Sequence, residues 1–236
     1  MPTSLSDYSA ANRSSPPTYL GTRYDASGQF LSDPGNTVVC HLVPNSATEA
    51  ALLAARERIA AKAGSLMSFT APQSLHMTLF QGVNEQRRKR PYWPADVALD
   101  TPLDEMTQMF GARLEGFIPG PAFAVEAIAA LPSGLIVDGV TAADRAALAT
   151  WRDTLADVLG YRHPDHGAYE FHITFAYPNA WIAPEDMLDW QNFLDSVLAD
   201  IRRQAPVLEL RAPAFCSFET MDWFEELVVL NAKIDA

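Results

Sequence analysis

At 236 residues, 48% hydrophobic and 19% charged, the chain can bury a substantial core. Its formal net charge of −12 opposes tight non-specific binding to a polyanion, so any contact with RNA must rest on local basic residues. No apolar run has the length of a signal peptide or a membrane span, and two distant cysteines fit a reducing compartment; the expectation is a cytoplasmic protein with no membrane partner.

Residues 1–18 are rich in Ser, Pro, Ala and Asn and are predicted to be a flexible N-terminal segment ahead of one domain, 19–236. An apolar run over 37–43 predicts a strand that carries His41. This histidine has no polar counterpart in the later repeat and reads as structural or peripheral, with a cleft-facing position as the alternative. Ser46-Ala-Thr-Glu49 has capping-box spacing and opens a helix to about Ala63. In the apolar stretch Leu75-His76-Met77-Thr78-Leu79-Phe80, strand alternation puts His76 and Thr78 on one face and Leu75, Met77 and Leu79 on the other. The run Gln86-Arg-Arg-Lys-Arg90 with Pro91-Tyr92-Trp93-Pro94 reads as a solvated basic loop. Its functional reading is a flap whose cations attract a phosphorylated ligand and whose Tyr92 or Trp93 stacks on a base. Pro102 opens an amphipathic helix lined by Leu103, Met106, Phe110, Leu114 and Phe117, and a hairpin follows over 123–131 and 135–140.

The second half repeats this order. Thr141-Ala-Ala-Asp144 opens a helix with Leu148, Trp151, Leu155 and Val158 at helical spacing. Tyr161-Arg162-His163-Pro164-Asp165-His166 invites a metal reading, because His163, His166 and the later His172 are three imidazoles. Pro164 interrupts any helix there, and Cys40 and Cys216 lie far away, so no metal is assigned. The favoured reading is a loop ordering the next strand, with Arg162 and His166 as candidate substrate contacts. That strand, Phe171-His172-Ile173-Thr174-Phe175-Ala176-Tyr177, carries a second His-x-Thr. Pro184 starts a helix lined by Met187, Trp190, Leu194, Val197, Leu198 and Ile201, and strands follow at 207–218 and 223–230. The halves, roughly 36–131 and 134–231, predict an internal duplication of strand, helix, His-x-Thr strand, helix and hairpin. Ser46 precedes His76 by 30 residues, and Thr141 precedes His172 by 31.

Placed at random, five His and 14 Thr in a chain of this length give well under one His-x-Thr. Both copies also lie in apolar runs, where an unpaired polar side chain is costly to bury and asks for a partner or ligand. Two imidazoles with ordinary pKa values near 6.5 suit opening of a cyclic phosphate: one takes a proton from water, the other gives one to the leaving alkoxide. Thr78 and Thr174 can donate to the non-bridging oxygens. Which imidazole is base and which acid stays open at this level, as does the oligomeric state.

The paired His-x-Thr strands make the chain similar to the two-histidine (2H) phosphoesterase superfamily of cyclic phosphodiesterases and 2'-5' RNA ligase-like proteins. The resemblance covers residues from about 19 to 230. Tyr19-Leu-Gly-Thr-Arg23-Tyr-Asp25, Tyr161-Arg-His-Pro-Asp-His166 and Pro213-Ala-Phe-Cys216 resemble a bacterial branch of unassigned biochemical role. The resemblance implies an α+β bilobal fold, two pseudo-twofold-related lobes of antiparallel sheet with helices outside and a central cleft. It implies His76 and His172 as catalytic residues and Thr78 and Thr174 as phosphate-binding ones. Arg23, near the start of the matching segment, is a candidate phosphate cation, with an ion pair as the alternative. Tyr177, closing the second motif strand, is a further candidate contact.

The resulting expectation is a metal-independent cyclic phosphodiesterase acting on a 2',3'-cyclic nucleotide, an RNA end or a related small cyclic phosphate. No nucleotide-cofactor motif is present: no Walker A loop, Rossmann glycine fingerprint, G-x-S-x-G or H-E-x-x-H. The alternatives are a phosphate-ester or RNA-end binding module without turnover, and a metal-dependent hydrolase built on the histidine-rich loop.

Overall fold

The structure, a computed structural model, describes residues 4–231; residues 1–3 and 232–236 of the expected segments lie outside the described residues. The fold is α+β. Among the described residues, nine strands follow in chain order: β1 Gly35–His41, β2 Met67–Phe69, β3 His76–Asn84, β4 Val125–Leu131, β5 Gly134–Gly139, β6 Phe171–Thr174, β7 Ala176–Pro178, β8 Ala214–Phe218 and β9 Glu225–Val229. Four α-helices are α1 Ala47–Ala63, α2 Leu103–Leu114, α3 Ala142–Leu159 and α4 Met187–Gln204.

Both capped helices begin where their side chains stop the extended chain. Ser46 accepts from the Glu49 amide, and Thr141 and Asp144 cap each other reciprocally, which satisfies amides that have no partner inside the helix. Pro184 opens a short 3-10 turn that leads into α4. The helix after Pro102 ends at Leu114, short of the expected Phe117, and the strand expected over 207–218 begins only at Ala214.

Seven strands form one antiparallel sheet in the order β4-β5-β6-β3-β1-β8-β9, and β2 pairs with β7 in a small second sheet. The expected lobes are thus joined through β3 and β6 into a single continuous sheet. Exchanging β1 with β5, β3 with β6 and β8 with β4 leaves the order of those six strands unchanged when read from the other end. The junction is narrow, with Met77 opposite Ile173 as its register pair, and both side chains are fully buried.

Helices α2 and α3 pack on β1, β3 and β5, while α4 packs on β4 and α1. Phe110 of α2 stacks on Tyr161 at 5.8 Å within the core that also holds Met77, Leu79, Phe80 and Leu155. A bulge between β1 and β3 lets Leu79 and Phe80 both enter this core. Gln81 then returns to the side of His76 and Thr78, a re-aiming that bulges commonly provide.

The second motif run is not one strand. β6 stops at Thr174, the Phe175 amide donates to the Ser133 carbonyl, and Ala176–Pro178 turns away to pair with β2. The N-terminal segment also departs from expectation, since described residues 4–12 form two 3-10 turns docked on the domain. Tyr8 is fully buried with its hydroxyl on Ser133, its carbonyl accepts from Ile182, and the Trp181 indole donates to the Ser15 carbonyl. Polar composition concealed one aromatic anchor. Among the described residues no helix is long and apolar enough to cross a membrane.

Close approach of β1 and β3 depends on Gly82: a Cβ there would lie 2.0 Å from the Asn36 carbonyl oxygen and 2.3 Å from its Oδ1, which accepts from the Val83 amide. Gly82→Ala should therefore lower stability by about 1–3 kcal/mol, the cost of overpacking a rigid site. Gly167→Ala, whose Cβ would meet open space, should not. Urea midpoints for the two variants check this, and equal midpoints would contradict the packing argument.

Candidate active site

The four motif side chains meet. His76 and Thr78 on β3 and His172 and Thr174 on β6 line one cleft of about 130 Å³ between the two strands. The Met77–Ile173 pairing, continued one residue either way, sets His76 alongside Thr174 and Thr78 alongside His172. Each histidine is thus beside the threonine of the other motif.

The two imidazoles are held the same way. His76 Nδ1 is 2.6 Å from the Ser74 carbonyl oxygen and His172 Nδ1 is 3.1 Å from that of Glu170, in each case two residues back. A carbonyl only accepts, so Nδ1 carries the proton and the neutral ring keeps its lone pair on Nε2. The surroundings of the two rings differ. Across the sheet from His76 stands His41, with ring centroids 6.0 Å apart, whereas the residue across from His172 is Ile136. Burial lowers the pKa of His76 to about 3, the Ser74 carbonyl opposes this, and His41 and His172 add to the depression. Burial also lowers His172, opposed by the Glu170 carbonyl and charge.

Arg23 and Tyr177, both singled out in the sequence, line the cleft as well. Arg23 Nε and Nη2 each lie 2.8 Å from one oxygen of fully buried Asp33, so this cation is already compensated. Its guanidinium sits 4.3 Å above the Tyr19 ring, and Tyr19 meets Tyr177 edge-on. Tyr19, Gln81, Asn84, Arg87 and Tyr169 also line the cleft and were not assigned to a site from the sequence. Arg87 was visible only as one of four cations in the basic run, and Tyr169 only as an aromatic three residues before His172.

Five sequence candidates lie elsewhere. His41 turns its Nδ1 to Glu226 at 3.0 Å and lines a neighbouring depression, so its part is to flank His76. Trp93 is a core residue whose indole donates to the Ala98 carbonyl, and Tyr92 packs edge-on against His163 at 5.0 Å; neither offers a stacking face to the cleft. Arg162 is bound to Asp153 and Asp157 at the surface, and His166 Nε2 is tied to the same Asp153. The three histidines of the metal reading therefore do not converge. Among the described residues no group of three or more His, Cys, Asp or Glu is placed to hold a metal ion.

A family model named 2H-phosphodiest, described as a domain of unknown function (DUF1868), matches residues 23–136. The crystal structure of the conserved protein of unknown function ATU0111 from Agrobacterium tumefaciens strain C58 is 48% identical, with a TM-score of 0.95 over 98% of this chain and 100% of that one. The chain belongs to the 2H phosphoesterase family. No curated protein matches. Family membership supports a phosphoester hydrolase-like role.

His163 is buried among Phe80, Tyr92 and Tyr161 with neither ring nitrogen hydrogen-bonded, and burial lowers its pKa from 6.5 to about 3. Between those values the unfolded chain takes up a proton that the folded ring refuses, so His163 makes stability fall as pH falls through that window. His163→Phe should show a shallower loss of Tm than wild type between pH 6.5 and about 4.5, and parallel curves would show that this ring does not drive the linkage.

Proposed function

We propose that this 2H protein is a metal-independent cyclic phosphodiesterase that opens a small cyclic phosphate ester, a 2',3'-cyclic nucleotide or RNA end among them, to a phosphomonoester. One observation carries the reading: both His-x-Thr pairs line one cleft with both Nδ1 atoms committed to carbonyls, which leaves two Nε2 atoms for proton transfer. A binding module without turnover has no need of two titratable rings set in matched fashion. The near-palindromic strand order supports descent of the two motif strands from one duplicated unit.

The chemistry follows from the environment of each ring. His76, driven toward neutrality by burial and by the flanking His41, is the base; its Nε2 takes a proton from the attacking water. The water oxygen bonds to phosphorus and the bond to the leaving ring oxygen breaks. His172, which has apolar Ile136 across from it and the Glu170 carbonyl and carboxylate opposing the effect of burial, is the acid. Its Nε2 proton goes to the departing alkoxide. Thr78 and Thr174 donate to the non-bridging oxygens as charge shifts among them. Solvent exchange then returns the proton from His76 to His172.

His76→Ala and His172→Ala should each lower turnover by about 10²-fold or more, with the double variant little worse than the worse single, because base and acid serve one transition state. Thr78→Val and Thr174→Val should lose rate by about 10² with a near-normal Tm, and dialysis against a strong chelator should change nothing. Full activity in either histidine variant, or zinc-restored activity after chelation, would overturn the mechanism.

A second expectation concerns pH. The acid must stay protonated, and burial has lowered His172 below 6.5, so the alkaline limb of kcat/KM should fall on the acid side of pH 6.5. Bound phosphate favours the protonated ring, so the same limb in kcat should move upward. A kcat/KM limb on the alkaline side of 6.5 would show that burial does not control the acid.

A further inference from the structure

Among the described residues, the cleft holds one arginine with no carboxylate in contact with it. In the basic run, Arg88 is bound to Glu85 and to the Leu99 and Thr101 carbonyls, and Arg90 is wrapped by the carbonyls of Trp93, Pro94, Ala95 and Val97. Arg23, across the cleft, belongs to Asp33. Arg87 lines the cleft half-buried, its hydrogen bond goes to the neutral Asn84 side chain at 3.2 Å, its guanidinium lies over the Tyr92 ring, and the Asp33 carboxylate acts on it only from beyond contact. In a chain of net charge −12 an arginine of this kind is conspicuous.

On the same side of the cleft, the Tyr169 hydroxyl is buried and has no hydrogen-bond partner; the Thr78 hydroxyl lies near it without good hydrogen-bond geometry. A buried hydroxyl left unpaired is costly, which asks for an acceptor from outside the protein. Behind its ring, at 4.0 Å, lies the guanidinium of Arg152, only 4% exposed. Arg152 donates to the Leu79 and His166 carbonyls, and Asp153 and Asp165 act on it only from beyond contact. Two arginines without a contacting carboxylate thus flank one unpaired phenol. The cleft also continues past Gln81, Tyr169 and His172 into an adjoining space of about 250 Å³.

We propose that Arg87 and the Tyr169 hydroxyl, backed by Arg152, form a second anion subsite beside the His-x-Thr pairs, and that the substrate is a cyclic phosphate ester carrying a further phosphate group. This rests on the cyclic phosphodiesterase reading and narrows it. The cyclic phosphate occupies the two histidines and two threonines, and the second phosphate takes bidentate donors from Arg87 and a hydrogen bond from Tyr169. Arg87 and Tyr169 are positioning residues in this arrangement, since neither touches the reacting bonds.

The test compares adenosine 2',3'-cyclic phosphate bearing a hydroxyl, a monophosphate or a diphosphate at the 5' carbon. Wild type should give a KM about 10-fold or more lower for a 5'-phosphorylated member, the worth of a charge-assisted contact. Arg87→Gln should erase that preference, Arg87→Lys should recover part of it, and Tyr169→Phe should reduce it. Arg162→Gln, a surface cation held by Asp153 and Asp157, should keep it. Equal KM values across the series in wild type, or a preference that survives in Arg87→Gln, would overturn the subsite. If no member is turned over, the phosphodiesterase reading fails on its own, and calorimetric titration with inorganic diphosphate then decides the subsite. Binding weakened about 10-fold in folded Arg87→Gln supports it, and equal affinity or no binding to wild type overturns it.

Discussion

The pairing of Met77 with Ile173 at the middle of the sheet is the contact on which the rest of this molecule depends. Both side chains are fully buried on the helix-packed face, so strand alternation leaves their neighbours His76, Thr78, His172 and Thr174 on the other face and side by side. A slip of one residue would carry the motif residues into the core and the apolar residues into the cleft, which makes the register costly to change. Antiparallel direction then puts each histidine next to the other strand's threonine. The site is consequently a property of the strand pair and of neither motif alone.

Burial governs the electrostatics around that pair. It lowers the pKa of His41, His76, His163 and His172, opposed at His41 by the Glu226 carboxylate, and so disfavours the charged form of each ring. At the surface most of the arginines discussed are spent on carboxylates, as with Arg58 and Asp200 or Arg162 with Asp153 and Asp157. Inside the cleft the balance is different, since Arg87 has no carboxylate in contact with it.

One wall of the cleft is built from parts far apart in the chain. Tyr19, Tyr24 and Phe30 from the N-terminal region pack with Tyr177, which reaches them because β6 ends at Thr174 and the chain leaves the main sheet to pair with β2. The Arg23–Asp33 pair is sealed under these rings. Breaking that pair would strand a buried carboxylate, so its weight is in holding the wall more than in adding net stability. Its charge is for the same reason a poor guide to where a phosphate binds.

Much of this was legible before any coordinates. The capping boxes at Ser46 and Thr141, the helix periodicities and the two alternating His-x-Thr strands are decided within a few residues of each other, and the two motif copies announced a shared site although they lie 96 residues apart. Tertiary structure decided what such local rules do not contain. The anchoring of Tyr8 in an otherwise polar segment, the break at Phe175 and the burial of Trp93 all depend on contacts with distant chain. Charge availability depends on them most. Arg23, Arg87 and Arg162 are the same residue type, but Asp33 pairs with the first, Asp153 and Asp157 with the third, and the second has no carboxylate in contact with it, Asp33 acting on it only from a distance. A motif can show which chemistry is on offer; only the folded chain shows which of its charges remain unspent, because a Coulomb interaction is set by distance in space and by burial, not by position along the sequence.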